Sequence, residues 1–138
     1  MNRILASLAI PAFLLAACAG PQPLACRPPL ESGVVVDLLF GRNIGGRPGV
    51  SEAQWRTFLA RDVTPRFPEG LTVIDAAGQW RDPARGTIVR ERSKVVTIAL
   101  RDGGVDQARI EAIVAAYKSR FHQQSVGVTI RPACVSFQ

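Results

Sequence analysis

The stretch LTVIDAAGQWRDPARGTIVRERSKVVTIAL, residues 71–100, holds two strand-like runs on either side of one turn cluster. Leu71 to Trp80 is the first run, with Leu71 and Val73 set against Ile74, and Thr87 to Leu100 is the second and longer one. Between them, Asp82-Pro83-Ala84-Arg85-Gly86 gathers what a turn needs: an Asx side chain, a fixed φ, and a residue free to take positive φ. The pair reads as a hairpin.

Working upstream, Val34-Val35-Val36-Asp37-Leu38-Leu39-Phe40 is apolar on both faces, as expected of a central strand. Gly41 to Val50 contains four glycines and a proline, so it is a loop. Ser51-Glu52-Ala53-Gln54 is a capping box, and Trp55, Phe58, Leu59 and Val63 follow at the spacing of one helix face. Pro65 disfavours the helical region at Thr64 and is expected to end that helix. Downstream, Asp102-Gly103-Gly104 breaks the hairpin, and Asp106 caps a second helix with Ile110, Ile113, Val114, Tyr117 and Phe121 inward. Ser125 to Phe137 is the fourth strand, with Val126, Val128 and Ile130 on one face. The order is βαββαβ. That predicts an α+β, ferredoxin-like domain: a four-stranded antiparallel sheet, two helices on one face, and the fourth strand beside the first.

The first 17 residues belong to something else. Met1-Asn2-Arg3 is a short positive segment, and Ile4 to Ala17 is apolar but too short for the roughly 20 residues a membrane span requires. It suits a signal peptide of residues 1–17. Leu15-Ala16-Ala17-Cys18 resembles the bacterial lipobox, which implies cleavage before Cys18, diacylglycerol on its sulfur and a further acyl chain, such as palmitate, on its amine. Several acyl chains anchor stably where one is marginal. Ala19, rather than Asp, after that cysteine favours the outer membrane, facing the periplasm. Residues 18–33, with four prolines, read as an extended tether, and 34–138 as one domain.

The whole chain has 138 residues, 47% of them apolar, and a formal charge of +6. Without the first 17 the charge is +5 and the composition is that of one ordinary globular domain. This excludes a multidomain enzyme, a disordered charged tail and a polytopic membrane protein. Export leaves Cys26 and Cys134 in an oxidising compartment, where a disulfide is expected. The ferredoxin-like topology brings their two positions together. One histidine and no free cysteine pair offer no metal site, and no cofactor is implied. The basic charge carries no aromatic-interleaved run, so nucleic acid is not the expected partner.

Trp55, Phe58-Leu59, Thr64-Pro65-Arg66-Phe67-Pro68-Glu69-Gly70-Leu71-Thr72-Val73, Gly78-Gln79-Trp80, Arg90-Glu91-Arg92-Ser93-Lys94, Tyr117, Phe121 and Gln123-Gln124-Ser125-Val126 form a string that resembles domain-of-unknown-function family 3574, small bacterial exported proteins. The likeness covers about residues 33–138. It implies a fold and an envelope location but no chemistry.

The densest polar feature is the hairpin. Period two sets Arg90, Arg92 and Lys94 on one face and Glu91 and Ser93 on the other. Gln79, Trp80, Arg81, Arg90 and Lys94, with Arg42 from the glycine loop, are the candidate ligand residues. Arginine supplies bidentate donors for an anion or carboxylate, and Trp80 an apolar wall. The alternative is a solvated strand face. Asp37 inside an apolar strand needs a partner, expected from the third strand, or else acts as an acid or base of raised pKa. His122 is expected to serve the end of the second helix, and Gln123, Gln124 and Ser125 to satisfy a loop. Besides a purely structural role as a partner in a larger assembly, two function classes stay open. One is an envelope binding module for a small anionic ligand or a protein. The other is a small cofactor-free enzyme built as a dimeric α+β barrel, with Asp37, Glu91 or His122 as acid–base groups.

Overall fold

The computed structural model describes residues 25–101 and 105–137. The signal peptide, Cys18, the first part of the tether and the Asp102-Gly103-Gly104 break lie outside them. Strand β1 (Glu31–Gly41) is followed by a two-residue pair, β2 (Asn43–Ile44) and β3 (Arg47–Pro48). Helix α1 (Glu52–Phe58) leads into the hairpin of β4 (Thr72–Arg81) and β5 (Ile88–Arg101), then α2 (Gln107–Phe121) and β6 (Gly127–Val135). The sheet order is β4-β5-β1-β6, with every neighbour antiparallel. This is the ferredoxin-like α+β arrangement, with β6 beside β1.

Register explains the layers. Val36, Leu38 and Phe40 pair with Ile98, Val96 and Lys94 and face the helices. Their apolar side chains, with Trp55, Phe58, Ile113 and Tyr117, form the core. Phe40 sits 5.2 Å from Trp55, 5.7 Å from Phe58 and 4.7 Å from Tyr117, centroid to centroid. Such tilted and edge-on pairs each add about 0.5–1.5 kcal/mol beyond area burial. The odd positions of β1 face the other way, onto a sheet side that carries no helix. There Leu39 is 44% exposed, and Ile74 on β4 is 51% exposed.

The capping box at Ser51 forms in full: Ser51 Oγ accepts from the Gln54 N–H at 3.2 Å, and Gln54 Oε1 accepts from the Ser51 N–H at 2.8 Å. Pro65 does not end the helical path where its pre-proline rule puts the stop. Thr64 is helical (φ −54°, ψ −43°), and the chain runs on through a π-turn at 59–63 and a 3₁₀ turn at 64–66. Two features outweigh the rule. Buried Val63 and Phe67 hold the segment down, and Pro65 sits in the first turn of the 3₁₀ segment, where its missing N–H costs little. β1 begins at Glu31 rather than Val34, because Glu31 and Ser32 pair with Val135 and Cys134. Val126 packs on the core, but Val128 and Ile130 remain 42% and 47% exposed on the edge strand.

Cys26 and Cys134 form a disulfide, with Cα atoms 5.5 Å apart and 108 positions between them in sequence. It ties the start of the domain to the end of β6, at the end of the sheet where Gly33 pairs with Arg101 and Ala133. The hairpin tip lies at the opposite end.

Candidate functional site

β1 pairs with β5 as far as Gly41–Ser93, while β4 and β5 continue to Arg81–Ile88. The far end of the hairpin therefore extends beyond β1 and β6. On the helix-free side, Trp80 pairs with Val89, Gly78 with Glu91 and Gly41 with Ser93, so these residues share one face. The 43–46 turn and the 122–125 segment stand beside that face, and together they enclose a cleft of about 400 Å³.

Glu91 is its fixed polar group. One carboxylate oxygen accepts from Trp80 Nε1 at 3.0 Å and the other from the Asn43 N–H at 2.9 Å. Room for the carboxylate comes from Gly41: a Cβ there would lie 2.6 Å from Glu91 Oε1. Asn43 Nδ2 in turn donates to the Arg90 carbonyl at 3.3 Å. The walls are held from behind. Tyr117 donates its hydroxyl to the Gly41 carbonyl at 2.8 Å, and Gln123 Nε2 donates to the Asn43 carbonyl at 2.6 Å. Burial pushes the Tyr117 phenol well above its ordinary value, so it stays a neutral donor. His122 adopts the left-handed conformation (φ 50°, ψ 40°) that closes α2, and it borders the cleft with Gln124 and Ser125.

The residues singled out from sequence divide between two sides of the hairpin. Trp80 and Glu91 meet in the cleft, and Gln79 borders it at the edge strand. The pairing of Gln79 with Arg90 sets both on the helix side. Arg90 borders a neighbouring groove with Arg92 and Arg42. Arg81 ends β4, exposed. Arg42 and Lys94 are committed internally. Arg42 donates to the Val50 carbonyl at 3.0 and 2.8 Å and pairs with Glu52 at 2.9 Å. Lys94, only 4% exposed, contacts Glu52 at 2.7 Å and Asp75 at 2.6 Å. Burial works against its charge, but the hydrogen bonds to Asp75 and Glu52 outweigh it, so its pKa rises.

Asp37 departs from both readings given to it. Its partner is Arg131 on β6, not a cation of the third strand, with Thr97 Oγ1 donating at 2.7 Å. The Arg131 hydrogen bond, then that of Thr97, lowers its pKa rather than raising it. The register accounts for this: Asp37 stands between Thr97 and Thr129, with Arg131 two residues along the same face. Asn43 and Gly41 carry no chemistry-bearing motif and were not among the candidates. The one available signal is a glycine ending an otherwise bulky strand. Among the described residues no group of three or more His, Cys, Asp or Glu is placed to hold a metal, and no helix is long and apolar enough to cross a membrane.

The family described as protein of unknown function, DUF3574, matches residues 36–137, and the chain belongs to it. Among solved structures the chain is similar to a phage SAM lyase in complex with S-methyl-5′-thioadenosine, at 18% identity and a TM-score of 0.60. The match covers 78% of this chain and 92% of that one. The apo state of a phage SAM lyase matches at 17% identity and a TM-score of 0.57, over 83% and 97%. At such identity the likeness concerns the fold. No curated protein matches the chain.

Proposed function

We propose that this chain is an envelope lipoprotein, anchored through lipid on Cys18 at the outer membrane and facing the periplasm, whose single domain binds a small organic ligand in the Trp80–Glu91 cleft. The observation that carries the ligand reading is the Glu91 carboxylate, fixed by an indole and a backbone N–H at the wall of an open concavity. A volume of about 400 Å³ lies within the usual range for small-molecule sites, and an apolar wall with few convergent polar groups is their usual make-up. Each Glu91 oxygen keeps a lone pair for a donor on the ligand, and Trp80 offers a surface for a flat or apolar body. The ligand this chemistry suits carries amine or hydroxyl donors.

Two measurements test the reading. Cys18→Ser should release the protein from the membrane fraction, and unchanged fractionation sinks the anchor. The first ligand probe is S-methyl-5′-thioadenosine, which the similar lyase holds and which offers a purine ring, an amine and hydroxyls. Binding should quench the Trp80 fluorescence; Trp80→Phe should abolish the signal and Glu91→Gln should weaken it about tenfold. If this probe leaves the fluorescence unchanged, and no small molecule accompanies the purified native protein, the cleft reading fails.

A second reading is the small cofactor-free enzyme formed by pairing two helix-free sheet faces. The exposure of Leu39 and Ile74 on that face favours it, and the lyase neighbours suggest its chemical class. Sedimentation of the non-acylated Cys18→Ser chain should then show a dimer that Ile74→Asp dissociates; a strict monomer excludes this arrangement.

A further inference from the structure

The other side of the hairpin tip carries a second concavity, a groove of about 650 Å³ between the 42–51 loop and β5. Segments 42–52 and 72–94 together hold seven cations against four carboxylates, +3 of the +5 found in residues 18–138. Three of those cations are spent inside the fold: Arg42 on Glu52, Lys94 on Glu52 and Asp75, Arg85 on Asp82. Arg90 and Arg92 are not. Both are exposed, and neither forms an ion pair with a described carboxylate. Their backbone is held by the loop, through Arg42 N–H on the Arg92 carbonyl at 3.1 Å and Asn43 Nδ2 on the Arg90 carbonyl at 3.3 Å. Two residues apart on one strand, their Cα atoms stand roughly 7 Å from each other and project to the same side. Like charges so placed repel unless an anion lies between them. Ser51 lines the groove, and its oxygen already accepts from the Gln54 N–H, which leaves its own proton to donate.

We infer that this groove is a binding site for a phosphate ester, gripped by the guanidinium forks of Arg90 and Arg92 with Ser51 as a neutral donor. Planar forks suit phosphate oxygens in a way a solvated lysine does not. The source is a soluble ester rather than a headgroup of the anchoring membrane. The tether leaves the domain beside Cys134, and Arg90 lies eleven residues along β5 from Arg101 at that end, roughly 35 Å away. That choice of source rests on the anchor proposed at Cys18; the site does not.

The test uses the non-acylated Cys18→Ser chain and side-chain ¹⁵N–¹H spectra of arginine during titration with sn-glycerol 3-phosphate. Expected are saturable shifts at Arg90 and Arg92, at least tenfold weaker binding in the Arg90→Gln/Arg92→Gln variant, and a partial loss in Arg92→Lys, which keeps the charge but not the fork. Near-ultraviolet circular dichroism checks that the variants stay folded. Trp80→Phe should leave these shifts unchanged, which separates this site from the cleft. Non-saturating shifts of equal size at the helix residues Arg56 and Arg61 would mean general screening and overturn the site. In a second arm the same chain is sedimented with vesicles of phosphatidylglycerol in phosphatidylcholine. Vesicle binding that needs Arg90 and Arg92, without binding of the soluble ester, would overturn the soluble source.

Discussion

Trp55 and Trp80, the two tryptophans of the chain, stand on opposite sides of one sheet. Trp55 is 2% exposed and packs among Phe40, Phe58 and Tyr117. Trp80 is half-buried on the helix-free side and spends its indole N–H on Glu91. The same residue type is filler in one place and a cleft wall in the other. The fold divides its work between the two sides of the sheet. The helix-covered side excludes water and supplies stability, while the helix-free side near the hairpin tip holds polar groups in fixed positions where solvent still reaches them.

The largest expected effect lies at neither tryptophan. Replacing Cys26 and Cys134 by serine opens a closure of 108 residues, worth about 4–5 kcal/mol in the chain-entropy model. Chemical denaturation should show that loss. Ligand quenching at Trp80, measured well below the midpoint, should survive it, because the disulfide and the cleft lie at opposite ends of the sheet. Loss of both together would break the separation.

Next is the direct contrast. Trp55→Ala should cost about 3–5 kcal/mol, as large-to-small core changes do. Trp80→Ala should cost no more than about 2 kcal/mol but abolish ligand quenching. The two sites share no partner, so their stability effects should add in the double variant. A coupling above about 0.5 kcal/mol would show that the two sides are not independent.

How far these roles could be read in advance follows from what each rests on. Trp55, Phe58 and Tyr117 were legible as core because helical spacing is a local property of the chain. The capping box at Ser51 was legible for the same reason, and the hairpin because turn chemistry punctuates it. The site was legible only by halves. Period two correctly parted Glu91 from Arg90 and Arg92. It could not say that Trp80 stands with Glu91, since that depends on the β4–β5 register. Nor could it say that Arg42 and Lys94 are taken up by Glu52 and Asp75, because those contacts join loop, helix and hairpin across 10 to 42 positions of sequence. Asp37 shows the same limit: its partner Arg131 lies 94 positions away, on the last strand.

Smaller than the core effects is the response to acid. Hydrogen bonds hold three carboxyls below their ordinary values: Asp37 through Arg131 then Thr97, and Glu52 and Asp75 through Lys94. A carboxyl whose pKa is lower folded than unfolded stabilises above its unfolded value and loses that contribution as pH falls through the folded one. Stability should therefore hold from pH 6 to 9 and fall below the ordinary values of 4.5 for Glu52 and 3.8 for Asp37 and Asp75. Lys94 is the opposite case, raised from 10.5, so its contribution is complete below that pH and is lost only as pH rises through the higher folded value. Lys94→Met should make the acid limb shallower, because Glu52 and Asp75 then lose the contact that lowers them most, while Arg42 still holds Glu52 down in part. Melting temperatures between pH 2.5 and 7 read this. An acid limb as steep as in the parent protein would mean that the lysine pairs carry no linkage.

The smallest effect on stability should be the most telling about the cleft. A Cβ added at Gly41 would meet the Glu91 carboxylate at 2.6 to 2.7 Å, closer than any side chain tolerates. The obstacle is the far end of a flexible side chain rather than backbone, so Glu91 swings aside instead of the strand breaking. An alanine in a strand also recovers part of the entropy a glycine loses on folding. Gly41→Ala should therefore change stability by no more than about 1 kcal/mol, yet Glu91 must release Trp80 Nε1 and the Asn43 N–H. The indole resonance of Trp80 in a ¹H–¹⁵N spectrum should move upfield as its hydrogen bond is lost, while that of Trp55 stays in place. Ligand quenching should fall with it, as in Glu91→Gln. If the Trp80 resonance does not move, the gap at Gly41 is not what positions Glu91, and the cleft loses the preorganisation of its carboxylate acceptor.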